Sequence, residues 1–149
     1  MYINAFAPDQ GENILQLVTA QPGSALTQPG ALVPVAVPGW VDLSVDRSVF
    51  PGAFAHDLPA KKAAVLAAAQ RPLAASASSE QFGPPAWRTI PSWYLVGTAD
   101  RVLPPVEQEF MAKRMHAHTV RVDASHLSMT SSPEQVTKLV LDAAGSVRR

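Results

Sequence analysis

From Ile90 onward the sequence alternates two hydrophobic patterns, and this alternation limits the fold more than any other feature. Ser92-Trp-Tyr-Leu-Val-Gly97 is short and almost wholly apolar. Such a run fits a strand buried on both faces of a parallel sheet. A polar turn, Thr98-Ala-Asp-Arg101, follows, and Pro104-Pro105 then opens a helix reaching about His116. Val106, Phe110 and Met115 are expected on its inner side. Thr119-Val-Arg-Val122 reads as the next strand, and Asp123 to Ser131 as a polar loop. Ser132 caps a last helix, with Pro133 in its first turn and Gln135 completing a capping box. Val136, Leu139, Val140 and Ala143 form its apolar stripe, and Gly145 is a reasonable stop. Strands joined through a helical crossover lie parallel, so this part predicts a βαβα unit.

The earlier part of the chain is less regular. Tyr2-Ile-Asn-Ala-Phe6 predicts a buried strand, halted by Pro8-Asp9. Asp9 is a candidate cap for a helix starting near Glu12 and running through Ile14, Leu15 and Val18 until Pro22-Gly23. Residues 22–56 show no period; they are rich in Pro, Gly and small apolar residues, with Trp40 and Phe50 as anchors. Residues 59–70 predict a helix by propensity, broken by Arg71-Pro72. The expected fold is α/β. Its core, residues 1–9 and 89–149, holds about three parallel strands (2–6, 92–97 and 118–122) with flanking helices. A mostly helical insertion spans 10–88. The first strand would present an apolar edge open to another chain, a second copy included.

Composition narrows the function classes. Twelve basic and twelve acidic residues cancel, without the excess or stripe of a nucleic-acid binder. The chain lacks cysteine, which excludes disulfides and cysteine-ligated metals. His56, His116, His118 and His126 form no ligand-like helix pair. Asn13 to Val41 carries no charge, but Pro22, Pro29, Pro34 and Pro38 interrupt it, so a membrane span is not expected.

In parallel α/β sheets, function sits beyond the carboxyl ends of the strands. Asp100 follows the strand ending at Gly97, and His126 follows the strand ending at Val122. A carboxylate there can hold one imidazole nitrogen and leave the other free to move a proton. Each residue also has a plainer reading: Asp100 as a turn former, His126 as a surface-loop histidine. His116 and His118 are expected to be solvated. His56-Asp57 could touch substrate, or simply cap or decorate a surface. Trp40, Trp87 and Trp93 are expected to pack.

Gly97-Thr-Ala-Asp100-Arg-Val-Leu-Pro104-Pro105 resembles the acid turn of the α/β-hydrolase superfamily. Asp123-Ala-Ser-His126, followed by Ser132-Pro133-Glu134, resembles its histidine loop and final helix. Tyr2 to Glu12 is similar to the strand after the nucleophile's helix. The set is most similar to the branch of bacterial esterase-like hydrolases, plant methylesterases and hydroxynitrile lyases. The resemblance implies a lid over residues 10–88, with Phe54 and His56 near substrate. It implies Asp100 and His126 as acid and base of a serine triad acting on small carboxylic esters. It also implies no metal or organic cofactor and a cytoplasmic setting. The Gly-x-Ser-x-Gly nucleophile elbow of the family does not occur in this sequence. The chain is therefore expected to be a truncated product lacking its nucleophile. The alternative is a catalytically inactive α/β module, or a half-enzyme that needs a separate N-terminal part.

Overall fold

The computed structural model describes residues 1–147, with backbone only at Val147. Six strands and six helices follow in chain order. They are β1 (Tyr2–Ile3), α1 (Ile14–Ala20), β2 (Leu32–Val37), β3 (Trp40–Val45), α2 (Phe50–Phe54), α3 (Ala60–Ala69) and β4 (Leu73–Ala74). After these come β5 (Trp93–Gly97), α4 (Pro105–Arg114), β6 (His118–Val122), α5 (Ser128–Ser131) and α6 (Pro133–Val147).

β1, β5 and β6 form a parallel sheet in the order β1-β5-β6, as the alternating pattern requires. Tyr94, Leu95 and Val96 at its centre are fully buried. Tyr94 and Val96 pack with Ala7, Leu17, Leu103, Met111, Ala112 and Met115. β1 is shorter than the apolar run because Asn4 turns into the left-handed region, at φ 46°. β5 and β6 end where their sequence runs end, which sets Asp100 and His126 just beyond one edge of the sheet.

The residues between β1 and β5 contain more strand than expected. β2 and β3 form an antiparallel hairpin, and β4 pairs with β3. β2 accommodates Pro34 because it is an edge strand, where a missing amide costs little. Pro38-Gly39 closes the hairpin, with Gly39 at φ +91°. Phe50, Ala55, Ala63 and Ala67 make a second small core, against which Phe54 and Leu127 pack. Trp40 is 56% exposed at the hairpin tip rather than packed.

Several local expectations shift. Asn13, not Asp9, caps α1: its side chain accepts from the Gln16 amide at 2.8 Å, and the Gln16 side chain accepts from the Asn13 amide at 2.9 Å. Asp9 is drawn to Arg88 instead, at 2.6 Å. On α4, Val106 and Phe110 face outward, 53% and 51% exposed. The inner face carries Glu107, Gln108, Met111 and Ala112, because Gln108 turns in toward the acid turn. α6 passes through Gly145, which lacks the positive φ of a left-handed stop. A single helical glycine costs only about 1 kcal/mol, too little to end the element.

Candidate active site

Asp100 lies in the turn after β5 with its side chain fully buried. Its carboxylate is held from several directions. Oδ1 accepts from the amides of Val102 at 2.8 Å and Leu103 at 3.0 Å. Oδ2 accepts from Asn4 Nδ2 at 3.0 Å and Gln108 Nε2 at 2.9 Å. Oδ2 also receives His126 Nδ1 at 2.8 Å. The two residues singled out from strand ends, twenty-six positions apart, therefore meet directly.

The bond at Nδ1 fixes the tautomer that leaves Nε2 as the acceptor in the neutral ring. Among the described residues nothing hydrogen-bonds to Nε2. The side chain is about one-fifth exposed. A histidine so held can take a proton at Nε2 and return it, while Asp100 offsets the charge on the imidazolium.

Phe54 and His56 come to the same place. The Phe54 ring stands edge-on to the His126 imidazole, centroids 5.1 Å apart at 90°. His56 Nε2 lies 2.9 Å from the carbonyl oxygen of Ala99 and is thus engaged with the acid turn. His116 and His118 remain exposed, and His118 opens β6, at the opposite end of that strand from the histidine loop, stacked on Trp93. Ser125, beside His126 in sequence, is fully buried, and its hydroxyl donates to the Phe54 carbonyl at 2.7 Å. It is a loop fastener. No group of three or more His, Asp or Glu side chains among the described residues could hold a metal ion.

The sequence did not point to Asn4 and Gln108. Asn4 also donates to the Ser125 carbonyl at 3.3 Å and accepts from the Ser128 hydroxyl. Gln108 donates to the Leu103 carbonyl at 2.7 Å and accepts from the Gly97 amide at 3.2 Å. Gly97 is required here: a Cβ at that position would fall 2.1 Å from Asn4 Nδ2. A polar residue on an otherwise apolar strand, and another on the inner face of a helix, were the signals available. Burial pushes the Glu107 carboxyl above its ordinary range, partly opposed by Arg114. Its Oε1 is buried without a hydrogen-bond partner.

Solved structures of similar fold include named hydrolases and esterases. A pyrethroid hydrolase superposes with a TM-score of 0.75 at 20% identity, over 99% of this chain and 61% of that one. Polyneuridine aldehyde esterase gives 0.73 at 16% identity, over 95% and 60%. A methylesterase from Arabidopsis gives 0.67 at 16%, over 97% and 57%. The chain thus spans about 60% of the length of these structures. No curated protein matches the sequence. The family model described as "Alpha/beta hydrolase family" matches residues 2–139. That match covers the three parallel strands, both loops at their carboxyl ends and the first turns of α6, and the chain belongs to this alpha/beta hydrolase family.

Proposed function

We propose that the chain carries the acid and the base of a serine-type carboxylic-ester hydrolase, Asp100 and His126. The nucleophile would come from polypeptide outside these 149 residues, since the sequence holds no Gly-x-Ser-x-Gly elbow. Residues 10–88 act as the lid, with Phe54 and His56 on its inner side, over a small ester-like substrate. His126 Nε2 takes the serine proton as Oγ attacks the ester carbonyl. It then passes the proton to the departing alcohol oxygen, and the acyl-enzyme is hydrolysed by water through the same base. Asp100 holds Nδ1–H throughout and faces the positive charge on the ring.

The observation that carries this reading is the Asp100–His126 bond, with no hydrogen-bond partner at Nε2 among the described residues and the side chain partly exposed. The elaborate hold on Asp100 supports it, because a surface turn residue needs no buried glutamine and asparagine. The neighbours' hydrolase and esterase names support the substrate class at the coarse level of an ester-like small molecule.

A p-nitrophenyl ester assay tests it. The 149-residue chain alone is expected to be inactive, lacking nucleophile and oxyanion hole. Mixing it with, or fusing it to, an N-terminal hydrolase segment that contains the serine elbow is expected to restore hydrolysis. That restored rate should fall by about 10³-fold or more in His126→Ala and in Asp100→Asn. Restored hydrolysis indifferent to His126→Ala would overturn the proposal. Failure to restore hydrolysis with any such segment would favour the inactive-module alternative.

A further inference from the structure

The loops bearing Asp100 and His126 are bridged by one short stretch, residues 52–57, at the end of α2. On the acid side, Arg101 Nη1 donates to the Gly52 carbonyl at 3.2 Å, and His56 Nε2 lies 2.9 Å from the Ala99 carbonyl. On the histidine side, the contacts fall on the residues directly before and after His126. The Ser125 amide donates to Asp57 Oδ2 at 2.7 Å. The Ser125 hydroxyl and the Leu127 amide both donate to the Phe54 carbonyl, at 2.7 Å and 3.2 Å. The Phe54 ring then meets the edge of the imidazole.

Asp100 fixes only one atom of the imidazole. A ring held at Nδ1 alone can still swing about that bond, and Nε2 sweeps the widest arc. What prevents the swing is the backbone on each side of the ring. Both flanking amides are tied to residues 54–57, and the Asp57 bond is the one with a charged acceptor, which is shorter and stronger than a neutral bond. A misplacement of about 1 Å at a reacting group can cost on the order of 10²-fold in rate.

We propose that Asp57 is a positioning residue for His126, setting the direction of Nε2 through the Ser125 amide. This rests on the reading of His126 as the general base. Partial burial pushes the Asp57 carboxyl up, but hydrogen bonds from Ser125 and Ser131 outweigh it and hold the carboxyl below its usual range. That suits a group acting as a charged acceptor. The segment proposed as lid thus sets the geometry of the base as well as covering the site.

The test is imidazole NMR on the 149-residue chain, which requires no hydrolysis. The readout is the downfield Nδ1–H proton of His126 in its bond to Asp100, and its exchange with water. Exchange is expected to rise by about tenfold or more in Asp57→Ala, as the loop opens more often. Asp57→Asn keeps the shape and a weaker acceptor, and should give an intermediate rate. Should Asp57→Ala fail to fold, the Asn variant still reports against the parent chain. In the restored hydrolase, Asp57→Ala should lower kcat by about tenfold with KM within about twofold, and Asp57→Asn should recover most of the loss. Equal exchange in all three proteins would overturn the role of Asp57 and leave the base assignment standing. A loss confined to KM would do the same. Absence of the Nδ1–H resonance from the parent chain would overturn both.

Discussion

At the scale of single residues, the site depends on polar groups that cannot be exchanged for apolar ones. Asn4 combines a left-handed backbone with bonds to Asp100, to the Ser125 carbonyl and to Ser128. Asn4→Ala should destabilise the chain by about 2–4 kcal/mol, through unpaired buried partners plus a strained φ. Asn4→Gly relieves the strain alone and should recover about 1 kcal/mol of this, read from urea unfolding. Glu107 behaves in the opposite sense. Its folded pKa lies above the unfolded value, so its contribution is fully present below the ordinary glutamate range. That contribution is lost as pH rises through the folded value. Glu107→Gln should therefore raise stability at pH 8 by about 1 kcal/mol and flatten the decline that sets in as pH rises above the ordinary glutamate range. Equal urea midpoints at pH 8 would count against it. Asp100 and His126 were legible because each stands just past the end of a strand marked in the sequence, a position read locally. Asn4 and Gln108 were not. Asn4 acts on a residue 96 positions away, and no local pattern marks that meeting.

At the scale of elements, the parallel strands were legible because burial on both faces leaves a continuous apolar run at Trp93–Gly97. Hydrophobicity alone assigns the wrong inner face to α4. Here Phe110 lies under the Arg114 guanidinium, 5.1 Å from its ring centroid, while Gln108 turns inward to serve Asp100. The β2–β3 hairpin escaped notice because both faces of β2 are largely exposed, so no alternation of apolar and polar residues was written into it. Its turn nevertheless has a clear physical basis: proline first, then a glycine at φ +91°. Gly39→Ala meets no steric obstacle, yet should cost about 1 kcal/mol from backbone strain. The loss should appear as faster proteolysis within residues 32–45, with the His126 resonances unchanged. Cleavage at the parental rate would argue against it.

At the scale of the whole molecule, β1 is one edge of the parallel sheet. The Asn4 amide donates inward to the Leu95 carbonyl at 3.1 Å, so by alternation the Ile3 amide points to the outer side. Ile3→Pro removes that outward donor and leaves the pairing with β5 intact. Light scattering of the chain should rise with concentration, and Ile3→Pro should reduce it. The same substitution should weaken restoration of hydrolysis by an added segment. Scattering identical to the parent's would remove the β1 edge as the contact. The strap at residues 52–57 has a further consequence for anyone recombining hydrolases. Exchanging the stretch over the active site is a natural route to new substrate ranges, with the cut-points placed at its two ends. In this chain such a cut would carry away Phe54, His56 and Asp57, and with them the fastenings of both loops. A chimera that keeps its own 52–57 and exchanges only the hairpin and α3 should change what enters the site without detuning the imidazole.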